Sequence, residues 1–391
     1  MPPLGGGMEI VMSKIKFMHI GLVIIMMITL SIPICAAEFC GTLECKSAVL
    51  MEASTGRVLF EKNANEALPP ASVTKVMTLL LVMEAVDSGK IKLSDMVTAS
   101  EHASSMGGSQ VYLKVGEEMS VEEMIKCVVI ASANDCAVAL AEHLYGSEDA
   151  FVAAMNEKAK QLGMNNTNFE NTNGLDDTAV NHVTSAMDIA IMSRELIKHD
   201  IILKYSSTWM DTIRNGSFGL TNTNRLIRFY SGANGLKTGS TSKALFCISA
   251  TAKRDGMQLI AVIMAAPTRD IRNNEAKMLL DFGFSNYGIY TMPGGKTDKI
   301  AVNGGVKDFC ELEYPDISLV VEKEKISGIT QRFELPEKLS CPIEKGEKVG
   351  RVVLEYNGEE ISSTDIRTCE GIAEIGFFDI FMRVLKGLCL G

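Results

Sequence analysis

The sequence predicts an α+β protein, and three features carry that reading. Two strand pairs stand at the ends of a long, mostly helical stretch, a strand-rich region follows a Pro-Gly-Gly break, and an amphipathic helix closes the chain. The 391 residues are 47% hydrophobic and 22% charged, which suits a globular fold and is too apolar for a disordered chain. At roughly 150 residues per domain, that length predicts two domains.

The elements follow in order. Lys14 and Lys16 precede a near-continuous apolar run from Phe17 to Leu30, ended by Pro33. Cys35-Ala36-Ala37 then supplies the small residues that a signal peptidase reads, so residues 1–37 are expected to be a signal peptide cleaved after Ala37, and the remainder is expected to be exported. Lys46 to Met51 and Arg57 to Lys62 read as strands joined by the turn Ala53-Ser54-Thr55-Gly56. Helical sequence follows at Val73 to Val86, Ser120 to Tyr145 and Ser185 to Lys198; Ser120 and Glu123 form a capping box for the second of these. Strands at Ala244 to Thr251 and Met257 to Ala265 flank the turn Lys253-Arg254-Asp255-Gly256, and their return to the first pair would complete one sheet.

Pro293-Gly294-Gly295 reads as a linker between a first domain over 38–290 and a β-rich domain over 296–374. In the latter, Ser318 to Glu322 and Arg351 to Tyr356 are strand-like, and Asn357-Gly358 is a hairpin signal. In 375–391, Asp379, Arg383 and Lys386 share one narrow arc of a helical wheel while Phe377, Phe378, Ile380, Phe381, Val384, Leu385 and Leu388 fill most of the rest. So apolar a helix at the end of an exported chain is expected to lie in a membrane surface.

Composition also excludes. A net charge of -10 argues against nucleic acid, which needs clustered Lys and Arg. The histidines form no HExxH group, and nothing in the chain implies a metal or cofactor. Removing the leader leaves an odd number of cysteines, of which Cys40 and Cys45 are a candidate disulfide and the rest lie in apolar runs as small buried hydrophobes.

Chemistry begins at Ser72-Val73-Thr74-Lys75, which follows Pro69-Pro70-Ala71 and opens a helix. Spacing of i, i+3 puts hydroxyl and amine on one face. The apolar run Val76 to Met83 would bury that helix, and a desolvated, neutral Lys75 can take the proton of Ser72. The pattern alone is weak, since Ser13 to Lys16 and Ser240 to Lys243 repeat it. Order adds weight: Ser132-Ala133-Asn134 lies 60 residues on, and Lys237-Thr238-Gly239 another 105 beyond.

Ser-x-x-Lys, Ser-x-Asn and Lys-Thr-Gly in this order resemble the penicillin-recognising serine enzymes, the DD-peptidases and serine β-lactamases. The context Leu68 to Lys75, Ala131 to Asp135, Asn173-Gly174-Leu175 and Gly235 to Gly239 is similar to the low-molecular-weight D-alanyl-D-alanine carboxypeptidases, with a β-lactamase/DD-peptidase-like catalytic domain ahead of the β-rich domain and terminal helix. The resemblance implies Ser72 as nucleophile, Lys75 as its base and Ser132 as proton relay. It implies that Asn134 bonds the substrate amide and holds the Lys75 side. Lys237, Thr238 and Arg272 would meet the terminal carboxylate, Gly239 would leave the strand edge clear for an extended peptide, and the amides of Ser72 and Ser240 would form an oxyanion hole. One departure is Leu245, where many relatives carry Gly.

The implied partner is a peptidoglycan pentapeptide stem ending in D-Ala-D-Ala, with β-lactams as inhibitors. The neighbouring readings are a class A-like β-lactamase and a non-catalytic, penicillin-binding wall sensor. The β-lactamase wants a deacylating Glu-x-x-Leu-Asn loop; the corresponding stretch from Phe169 has Glu170 but no Leu-Asn pair.

Overall fold

The structure, a computed structural model, describes residues 39–176 and 179–389. The expected signal peptide, 1–37, lies outside the described residues.

β1 (Ser47–Glu52) and β2 (Val58–Lys62) form the first hairpin. The chain then makes a 3-10 turn over Ala71–Thr74 that runs into α1 (Lys75–Asp87). Residues 75–83 of α1 are buried without interruption, so this helix is enclosed by protein on all sides. Ser120 Oγ accepts from Glu123 N at 3.2 Å and caps α2 (Val121–Lys126). The single helix expected to run on to Tyr145 is instead broken: a π turn over Cys127–Ala131 ends at Ser132, which is left-handed (φ 64°, ψ 30°), and α3 (Asn134–Tyr145) starts afresh. The apolar run continues through the break, so periodicity does not register it. The amides of Ser132 and Ala133 both turn back to Cys127 O, satisfying backbone groups that the break would otherwise strand.

α4 (Glu148–Gln161) and α5 (Ala186–Leu196) complete the helical layer. β3 (Ala233–Thr241), β4 (Leu245–Arg254) and β5 (Met257–Ala266) return to the first hairpin, giving an antiparallel sheet in the order β2-β1-β5-β4-β3. The β4–β5 turn has Asp255 and Gly256 at φ 48° and 80°, the two-residue hairpin geometry that suits right-twisted strands. α6 (Arg269–Asn286) packs on the face of β5 and β4. Leu245 takes φ 57°, a left-handed conformation that Gly would adopt at no steric cost.

β6 (Tyr287–Met292) leads past Pro293 to β7 (Gly295–Lys296), β8 (Leu312–Tyr314), β9 (Ile317–Glu322), β10 (Ile329–Glu334), β11 (Lys348–Tyr356) and β12 (Glu359–Thr368). The second sheet runs β7-β8-β12-β11-β10, and β6 pairs with β9. Asn357 and Gly358 both have positive φ in the β11–β12 turn, as their dipeptide predicts. A separate apolar core gathers Met292, Leu312, Leu339, Val352, Leu354 and Ile366. α7 (Phe377–Cys389) follows, with Phe377 and Phe378 about four-fifths exposed and Arg383 paired to Asp308 at 2.9 Å. Among the described residues, no helix is long and apolar enough to cross a membrane.

The candidate Cys40 to Cys45 disulfide is not formed. Cys45 is a fully buried thiol, and its amide donates to Glu275 Oε1 on α6 at 3.2 Å.

Candidate active site

Three separate segments meet at the end of α1. Ser72 stands on the 3-10 turn, Ser132 and Asn134 project from the break between α2 and α3, and Lys237 to Gly239 run along edge strand β3. Beside them opens a cleft of about 590 Å³ whose wall includes Ser72, Ser132, Thr238, Gly239, Ser240 and Arg272.

Lys75 is the centre of the arrangement. Its Nζ lies 3.0 Å from Ser72 Oγ, 2.5 Å from Asn134 Oδ1 and 2.8 Å from Asn173 O, with no exposed surface. Burial first, then the charge of Lys237, pushes its ammonium well below the usual lysine range, against a smaller opposite pull from Asp135. A neutral amine has two N–H bonds and one lone pair. Asn134 Oδ1 and Asn173 O are pure acceptors and take the two N–H bonds. In the neutral form the lone pair would then face the Ser72 hydroxyl, the geometry of a base poised on a nucleophile.

Lys237 Nζ donates to Ser132 Oγ at 2.8 Å and to Thr238 O at 2.9 Å. Burial and then the nearby Arg272 charge lower it to about 7. Thr238 Oγ1 donates to Thr223 Oγ1 at 2.8 Å. Arg272 is buried; its Nη1 reaches Cys247 O at 3.4 Å and its Nη2 reaches Asn273 Oδ1 at 2.8 Å. Burial, then Arg269, brings its guanidinium down to about 10.

Two local contacts add to the sequence-based roles. Asn134, expected to bond the substrate amide and hold the Lys75 side, accepts from Lys75 Nζ through Oδ1 and donates through Nδ2 to Gly107 O at 2.7 Å, so it braces Lys75 and the loop over it. At Gly239 a Cβ would stand 2.8 Å from Ser72 N and 2.9 Å from Pro70 O, so glycine is also needed there because β3 packs on the nucleophile's own backbone.

Several participants carry no sequence signal of their own role. Asn173 acts through its carbonyl, and Gly174 (φ 86°) lets that loop approach to where a Cβ would lie 1.8 Å from Ala71 O. Asp135 is fully buried and accepts from the amides of Val111 and Leu113, fixing the loop that carries Gly107. Glu170, the candidate deacylating acid, accepts from the amides of Val180 and Asn181, so its carboxylate braces its own loop.

That loop is tied to the nucleophile turn by His182. Nδ1 accepts from Glu170 N at 3.0 Å, and Nε2 lies 2.7 Å from Thr74 Oγ1, whose hydroxyl donates to Ala71 O. The network thus assigns the proton to Nε2 and leaves a neutral ring. Burial lowers this imidazole to about 4. Since the folded value lies below the unfolded 6.5, the ring's contribution is full above pH 6.5 and is lost as pH falls towards 4, a change of about 3 kcal/mol. His182→Gln lacks that acid-labile part, so the gap in urea-unfolding free energy between wild type and variant should narrow from pH 7 to pH 4. A gap that stays constant would contradict the assignment.

Residues 35–268 match the sequence profile of the peptidase S11 family, described as D-alanyl-D-alanine carboxypeptidase, and residues 293–374 match the C-terminal domain of penicillin-binding protein 5. The chain is 45% identical to the D-alanyl-D-alanine carboxypeptidase DacF of Bacillus subtilis, over 88% of this chain and 89% of the relative. Among solved structures it is similar to penicillin-binding protein 5 of Haemophilus influenzae, with 33% identity, a TM-score of 0.76, and coverage of 85% of this chain and 99% of that one. Penicillin-binding protein D2 of Listeria monocytogenes in its ampicillin-bound form matches with 31% identity and a TM-score of 0.57, over 62% of this chain and 98% of that one.

Proposed function

This chain belongs to the D-alanyl-D-alanine carboxypeptidase family of serine peptidases, and from that premise we infer that it removes the terminal D-alanine from peptidoglycan pentapeptide stems through an acyl-enzyme on Ser72. The observation that carries the reading is the fully buried Lys75 Nζ, 3.0 Å from Ser72 Oγ and in contact with the carbonyl oxygens of Asn134 and Asn173.

In acylation, Lys75 Nζ takes the Ser72 proton while Oγ attacks the carbonyl carbon of the penultimate D-Ala. The oxyanion is received by the amides of Ser72 and Ser240 at the cleft wall. Ser132 Oγ passes its proton to the departing D-Ala nitrogen as the C–N bond breaks, and is resupplied from Lys237 Nζ, 2.8 Å away. Water then attacks the ester by the reverse proton path. Lys237, Thr238 and Arg272 hold the terminal carboxylate, which fixes the scissile bond over Ser72. A β-lactam offers a carboxylate and a strained amide in the same relation, so it acylates Ser72 as an inhibitor. Loss of the terminal D-alanine removes a donor for cross-linking.

The direct test is free D-alanine released from diacetyl-Lys-D-Ala-D-Ala. Release by the wild type and none by Ser72→Ala is expected; absence of release by the folded wild type would leave a penicillin-binding sensor instead.

The 1–37 segment would export the chain, and α7 would hold it on the outer face of the cytoplasmic membrane. At about 1.5 Å per residue the 13 residues of α7 span roughly 20 Å, short of the roughly 30 Å hydrocarbon core, so the helix would lie in the surface plane. Its exposed Phe377, Phe378, Phe381 and Val384 supply the apolar face. Truncation after Glu374 should move the protein to the soluble fraction with activity on small peptides retained. Unfolding or inactivation of the truncated chain would make α7 part of the fold instead.

A further inference from the structure

The carboxylate clamp accounts for one guanidinium, Arg272, yet two more line the same cleft: Arg225, just before a short helix over 226–229, and Arg269, the first residue of α6. Both are close enough for their charges to depress Arg272. Among the described residues none of the three pairs with a carboxylate within 4.0 Å, and no carboxylate lines the cleft. Asp270, in the first turn of α6, offsets them only weakly. Arg269 also sits at the positive end of an 18-residue helix, where a cation is disfavoured. Three mutually repelling cations thus converge where one terminal carboxylate is expected, and the methyl of a D-alanine uses none of the surplus.

We propose that Arg225 and Arg269 form a second anion subsite, which reads a carboxylate on the side chain of the leaving residue. The inference rests on the carboxypeptidase reading, because that reading puts the leaving residue at Thr238 and Arg272, next to these arginines. Trp209 and Phe229, 6.4 Å apart on the same wall, give methylene groups an apolar surface on the way to the charges. The preferred substrate class is a peptide ending D-Ala-D-Xaa in which Xaa is acidic. The chemistry is unchanged: the ester forms on Ser72, the C–N bond breaks, and the acidic D-residue leaves with the relayed proton on its nitrogen.

The test compares three peptides, diacetyl-Lys-D-Ala followed by D-Ala, D-Glu or D-Gln. In the wild type, kcat/KM for the D-Glu peptide should exceed that for the D-Gln peptide about tenfold and the excess should shrink with added salt. In Arg225→Gln/Arg269→Gln the D-Glu to D-Gln ratio should fall to about one. Cleavage of the D-Ala peptide with equal rates on D-Glu and D-Gln, or a ratio that persists in the double variant, would overturn the subsite alone. No cleavage of any of the three would overturn the carboxypeptidase reading beneath it.

Discussion

Replacing Lys75 with arginine should reduce the rate of penicillin acylation by about a thousandfold while the protein stays folded. The proposed chemistry needs a lone pair on Nζ, and the site supplies it by burying the amine completely beside a second lysine. A guanidinium stays protonated under these conditions and has no lone pair to offer. Because arginine is also larger, Lys75→Met, uncharged and of similar length, should give the same loss and separates base chemistry from overpacking. Rates would be followed with a fluorescent penicillin and folding by circular dichroism. Acylation of Lys75→Arg at close to the wild-type rate would remove Lys75 as the base.

The second large effect is expected at Gly174→Ala. The new Cβ would meet Ala71 O at 1.8 Å and Ala71 C at 2.3 Å, both backbone atoms of the nucleophile turn, at a φ of 86° that alanine disfavours. Neither neighbour can rotate away. The loop must withdraw, which carries Asn173 O from Lys75 Nζ and Thr172 O from Thr78 Oγ1. We expect a stability loss of about 2 to 4 kcal/mol from strain and overpacking together. Acylation should fall at least about tenfold, as expected when a base is misplaced. Thermal unfolding and penicillin labelling report the two effects separately; a variant with wild-type values for both would show that the close approach is unnecessary.

These two sites mark how far the sequence could be read. Ser72 and Lys75 were visible because their contact is local, three residues apart on one turn, and the apolar run behind them announces burial. The hairpins were visible because turn chemistry is local too, as at Asn357-Gly358. Asn173 and Gly174 carry no readable role, since one acts through a carbonyl and the other through a missing Cβ, and both matter only once the loop has folded onto the turn of Ser72. The break at Ser132 was hidden by an apolar run that suits a helix and a π turn equally. At Gly239 the close approach of the Ser72 backbone carries no sequence signal, because that neighbour comes from a segment far away in sequence. Arg225 and Arg269 carry no sequence signal, because only the fold brings them to one cleft.

The most direct measurement of the central claim is the site of covalent attachment. The protein incubated with benzylpenicillin, digested and mapped by mass spectrometry should carry a single added penicilloyl group on the peptide containing Ser72, with none in Ser72→Ala or Lys75→Met. An adduct on another residue, or one that persists when Ser72 is alanine, would contradict the account.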